Sequence, residues 1–105
     1  MQNLEEIRRR FMKDDLSVQL GGIASNLARL ESFSRMPNNK KVLKDLVEES
    51  KFFIEWAAPK ASLDVQEELV NIQLQLALYP EKSDVINYVG KWADKLIRLS
   101  GLSKG

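Results

Sequence analysis

The side chains that could do acid–base or metal chemistry in this chain are carboxylates, lysines and tyrosines, and their spacing forms no recognisable catalytic pattern. The 105 residues include no His and no Cys, which removes imidazole catalysis, thiol nucleophiles and the usual zinc sites. Adjacent carboxylates occur at Asp14–Asp15, Glu48–Glu49 and Glu67–Glu68. Neighbouring residues on a helix point about 100° apart, so such pairs are poorly arranged for shared catalysis or chelation. We therefore expect surface carboxylates, no catalytic residue, no cofactor and no metal site, and hence a protein that is not an enzyme.

A basic run near the start of the chain could bind phosphate groups. It consists of Arg8, Arg9, Arg10 and Lys13. Two acidic residues precede the run and two follow it, and the whole chain carries 16 Lys+Arg against 15 Asp+Glu. Because the segment is balanced in charge, a solvent-exposed helix face is the favoured interpretation. Nucleic-acid binding through these four residues is the alternative.

Prolines and helix-capping residues divide the chain into segments of helical length. Pro37, Pro59 and Pro80 are each followed by a residue suited to begin a helix. We predict four main helices, from about Leu16 to Arg35, from Asn38 or Asn39 to about Ala58, from Ser62 to about Tyr79, and from Ser83 to near Ser100, with Gly101 as the stop. A shorter helix carrying Leu4, Ile7 and Phe11 precedes them. The prediction is one all-α domain spanning 1–105, a bundle of four main helices plus a short N-terminal helix.

The joint between the first two helices admits two interpretations. Asp14 and Asp15 can cap a separate second helix, which we favour. Alternatively one continuous helix bends at Gly21–Gly22, where each glycine costs roughly 1 kcal/mol relative to alanine. If the glycines do not form a hinge, they leave room for another helix to pack closely.

Apolar residues occur on two opposite faces of the predicted fourth helix. One face holds Val65, Leu69, Ile72 and Leu76, and the other holds Leu63, Val70, Leu74 and Leu78. The third helix has a weaker second patch at Phe52 and Trp56. Either neighbouring helices of the same chain cover these second faces, or they form a homodimer interface. A groove for an unidentified protein partner or a small apolar ligand is a further possibility.

Polar residues separate the two faces of the fourth helix. They are Gln66, Asn71, Gln73 and Gln75. Solvent exposure between two apolar faces is the simplest interpretation, and a buried hydrogen-bonded network is the alternative.

Two stretches of the sequence resemble a known group of proteins. Residues 20–30, LGGIASNLARL, and residues 48–58, EESKFFIEWAA, are similar to those of small uncharacterised all-helical proteins of cyanobacteria. The resemblance implies an intracellular bacterial protein, and it brings no known activity, cofactor or site residue.

The remaining patterns concern location and function. Residues 1–12 lack the apolar core of a secretory signal, and no apolar run approaches the ~18 residues that a membrane span needs. We therefore expect a cytoplasmic protein without membrane contact. The predicted function is that of a non-enzymatic interaction or scaffolding protein acting as a homodimer.

Overall fold

The computed structural model describes residues 3–100 as five α-helices joined by short turns. The helices are α1 (Leu4–Met12), α2 (Leu16–Phe33), α3 (Lys40–Ala57), α4 (Leu63–Leu76) and α5 (Val89–Ser100). Two 3-10 segments, Ala58–Lys60 and Ser83–Tyr88, precede α4 and α5 respectively. No strand occurs within residues 3–100. The predicted all-α architecture, with a short N-terminal helix and four longer ones, is confirmed.

The first two helices are separate. The chain leaves helical conformation between Met12 and Leu16, and Asp15 occupies the N-cap position of α2, although its side chain makes no capping hydrogen bond. Helix α2 then runs without interruption through both glycines. Gly22 instead faces the ring of Phe11, because a Cβ added at Gly22 would lie 3.8 Å from Phe11 Cε1. The alternative of one continuous helix bent at the glycines is therefore wrong.

The ends of the last two helices differ from the predictions. Helix α4 ends at Leu76 rather than near Tyr79, and residues 77–81 form turns. Ser83 is not a helix cap but the first residue of the 3-10 segment that leads into α5. The tighter 3-10 winding accommodates this entry without a side-chain cap. The predicted stop at Gly101 lies outside the described residues.

Helix α2 is the centre of the bundle. It packs against both α3 and α5, whereas α4 packs mainly against α3. Its buried apolar residues are Leu20, Ile23, Ala24, Leu27 and Leu30. This arrangement leaves α4 at the edge of the molecule, with one face turned inward.

Hydrogen bonds from two glutamines hold α4 against α3. Gln66 Nε2 donates to the Ala58 carbonyl oxygen at 2.9 Å, and Gln73 Nε2 donates to the Lys51 carbonyl oxygen at 3.2 Å. Both glutamines are half-buried. The expectation that the polar row is solvent-exposed is therefore wrong for these two, because backbone carbonyl groups of the preceding helix and its end lie within reach. Among the four polar residues, the exposed one is Asn71.

Candidate interaction surface

The side of α4 that faces away from the core exposes large apolar side chains. We call this surface the α4 outer face; it comprises Leu63, Val70 and Leu74 of the helix and Leu78 in the turn that follows it. Their exposed fractions are 77%, 45%, 62% and 42% respectively. Gln66, Glu67 and Asn71 border the shallow groove between the first three. The outer face is thus an apolar stripe with a polar border, open to solvent in the monomer.

Helix α4 buries its other apolar row, and this burial fixes the orientation of the helix. Val65 is 8% exposed, and Leu69, Ile72 and Leu76 are fully buried. Since residues three and four apart share a helix face, burying this row turns the outer row to the opposite side. The interpretation in which one chain covers both faces of α4 is wrong, because no other described element covers the outer face.

The predicted aromatic patch of α3 lies in a different setting. The Trp56 ring contacts that of Phe11 from α1, with ring centroids 5.8 Å apart, and that of Phe53 at 6.0 Å. Phe52 is half-buried and stacks on Trp56 at 5.7 Å. Helix α1 therefore packs against the Trp56 ring, which is half-buried. Among the predicted interface residues, Phe52 and Trp56 belong to an aromatic cluster within the monomer, and the four leucine and valine residues remain open.

A cleft next to the outer face was not predicted from the sequence. The rings of Tyr88 and Trp92 stack with centroids 6.3 Å apart, and Tyr88 is 49% exposed. Asn71 and Gln75 of α4 line the same cleft, which measures about 330 Å³. Asn71 also borders the outer face, so the two surfaces adjoin. The spacing of four residues between Tyr88 and Trp92 was the available signal, but the sequence analysis had no indication that Tyr88 stays exposed.

Charges around α4 are distributed unevenly. Asp64, Glu67 and Glu68 all lie in its first half, and residues 71–77 carry no charge. Glu68 forms an ion pair with Lys95 of α5 at 2.8 Å. Within residues 3–100, Asp64 and Glu67 have no hydrogen-bonding or ionic side-chain partner, and Lys82, beyond the other end of α4, has none either.

The basic run, which consists of Arg8, Arg9 and Arg10 in α1 and Lys13 at its C-cap, is exposed along its whole length. Three of its four members, Arg8, Arg9 and Lys13, line one surface depression together with Glu5 and Met12. Arg10 is exposed but does not line that depression. Arg9 also lies 3.9 Å from the Glu6 carboxylate. The structure therefore groups three cations of the run, with carboxylates of α1 beside them.

The described residues offer no obvious centre for metal chemistry. Within residues 3–100, no group of three or more acidic side chains is arranged to hold a metal ion. None of the helices in this range combines the length and apolarity required to cross a lipid bilayer.

The protein is a small all-α bundle with an exposed apolar helix face. Comparisons of the chain with protein-family models, with curated proteins and with solved structures found no match.

Proposed function

We propose that this chain is a cytoplasmic, non-enzymatic interaction or scaffolding protein that acts as a homodimer through the α4 outer face. The observation that carries the proposal is the exposure of Leu63, Val70 and Leu74 along one side of α4, with Leu78 exposed in the turn that follows. Large exposed apolar patches with a polar border are typical of contact sites. A second copy is the simplest partner, since two-fold dimers are the commonest oligomers and use the same patch on both subunits.

Burial of this row supplies the driving force for association. Removing a leucine or valine side chain from water contributes ~1.5–3 kcal/mol when the side chain was fully exposed. The four side chains are 42–77% exposed, so each contributes part of that amount. A stable interface buries about 800 Å² on each partner, and a row of four side chains is smaller. The polar border and Tyr88 must therefore join the interface, and we expect a dimer of moderate affinity.

Light scattering over a wide range of protein concentration tests the proposal. We expect the mass to rise from 12.0 kDa towards twice that value. A mass that stays at 12.0 kDa at the highest concentrations would contradict the homodimer.

The variant Leu74→Asp tests the surface itself. Leu74 is 62% exposed, so the aspartate is solvated in the monomer but would be buried in the dimer at a large desolvation cost. We expect a monomer with the circular dichroism of the parent protein. The matched control is Leu99→Asp, because Leu99 of α5 is a leucine that is 40% exposed and lies outside the outer face. If both variants dimerise equally, Leu74 does not lie in the interface.

A further inference from the structure

We infer that the two copies pack with their α4 helices antiparallel, and that Asp64 of one copy forms an ion pair with Lys82 of the other. This inference rests on the proposed homodimer and specifies the geometry of its interface. It follows from the distribution of charge along α4, from the positions of the exposed apolar residues, and from the place of Lys82.

The carboxylates of α4 disfavour a parallel pair. Glu67 borders the outer face between Leu63 and Val70, and no cation lies within residues 63–77. In a parallel pair Glu67 would approach its own copy across the interface, and like charges brought together there are destabilising. An antiparallel pair instead places the acidic first half of α4 against the uncharged residues 71–77 of the other copy. Opposed helix dipoles add to this preference.

The two end residues of the outer face match in the antiparallel arrangement. Leu63 is the first residue of α4 and Leu78 lies two positions beyond its end. The midpoint between them falls between Val70 and Asn71. A two-fold axis at this point places Leu63 of each copy against Leu78 of the other, with Val70 close to the axis, as a self-complementary interface requires. The two most distant members of the outer face thus cover each other.

Lys82 lies beyond the C-terminal end of α4. The antiparallel arrangement brings this end close to Asp64 of the other copy. The Lys82 backbone N–H donates to the Leu78 carbonyl oxygen at 2.8 Å, so Lys82 is close to Leu78 in space. Asp64 follows Leu63 directly. Lys82 lines the cleft beside Asn71, which lies seven residues after Asp64 and therefore on the same side of α4. When Leu63 covers Leu78 of the other copy, the Asp64 carboxylate comes to Lys82 at this edge of the interface, with Asp84 in the same cleft. A parallel pair would separate Asp64 and Lys82 by the length of α4, about 20 Å for its 14 residues.

Charge reversal tests the ion pair. Lys82→Glu and Asp64→Lys each place two like charges at the same edge, and we expect each to raise the dimer Kd about fivefold. The double variant restores opposite charges with their positions exchanged, so we expect its Kd to return close to that of the parent protein. Lys13→Glu is the control for net charge, because Lys13 is the C-cap residue of α1 and lies outside the proposed interface, and it should leave Kd unchanged. Additive weakening in the double variant would overturn the ion pair.

Crosslinking of single cysteines tests the helix direction. Since the chain contains no Cys, each introduced thiol is unique, and a short bis-maleimide joins only neighbouring positions. We expect Val70→Cys to crosslink to itself and Leu63→Cys to crosslink to Leu78→Cys in a mixed dimer. Efficient self-crosslinking of Leu63→Cys would show a parallel pair and overturn this inference while leaving the homodimer in place. A monomer at every concentration would overturn both.

Discussion

The ring of Phe11 stacks on that of Phe53, with centroids 4.3 Å apart and ring planes 18° apart. Phe11 is only 7% exposed and is the one buried residue of α1. Its carbonyl oxygen also accepts a hydrogen bond from the buried Gln19 Nε2 of α2 at 3.0 Å. Phe11 therefore joins the N-terminal helix to both α2 and α3.

Removal of the Phe11 ring should release α1 from the bundle. We expect Phe11→Ala to lower the free energy of unfolding by ~3–4 kcal/mol, the usual cost of deleting a buried phenylalanine ring. Phe52→Ala is the control, because Phe52 is half-buried on the same cluster, and it should cost roughly half as much. Urea denaturation followed by circular dichroism measures both values. Equal costs would show that Phe11 does not anchor α1.

The glycines differ in the space around them. Gly22→Ala should raise the free energy of unfolding by ~0.5–1 kcal/mol, because it restricts the unfolded chain and the new Cβ meets Phe11 only at ordinary contact distance, 3.8 Å. At Gly90 a Cβ would overlap the Glu31 carboxylate, so Gly90→Ala must displace that side chain and should gain less. Thermal denaturation of the two variants compares them. A lower Tm for Gly22→Ala than for the parent protein would contradict the prediction.

A buried hydroxyl group in α3 has no hydrogen-bond partner within residues 3–100. It belongs to Ser50, which is fully buried. Because an unpaired buried hydroxyl group is unfavourable and alanine has the higher helix propensity, we expect Ser50→Ala to raise the free energy of unfolding by ~0.5–1 kcal/mol. The measurement is urea denaturation at equilibrium. A loss of stability would mean that the hydroxyl group is paired in solution.

A nucleic-acid binding assay tests whether the basic run binds phosphate groups. Only three of its four cations line one depression, and Glu5 lines it with them. We therefore expect no saturable binding to generic DNA or RNA at low salt. Fluorescence anisotropy of labelled oligonucleotides measures this. Binding that weakens steeply with added salt, and that is lost in Arg8→Glu, would instead support phosphate contacts.

The order of the helices along the chain and their apolar faces could be predicted from the sequence. Prolines, capping residues and apolar spacing predicted the five helices, although α5 begins at Val89 and not at Ser83. The three- and four-residue spacing identified both apolar rows of α4. These signals are local, because φ/ψ preferences and helix periodicity act over a few residues. The same spacing also identified the members of the α4 outer face, including Leu74.

Only the tertiary structure decided which apolar surfaces are covered. The sequence shows that α4 has two apolar faces and that Trp56 lies off the main row of α3, but it does not show which helix packs against them. Helix α1 packs against Trp56 through Phe11, 45 positions away in the sequence, whereas no described helix covers Leu63 or Leu74. Periodicity makes a helix face apolar, and burial of that face depends on contacts between segments far apart in the chain. That is why the sequence alone determined the helices and their faces, and the packing of the bundle determined which face is left open.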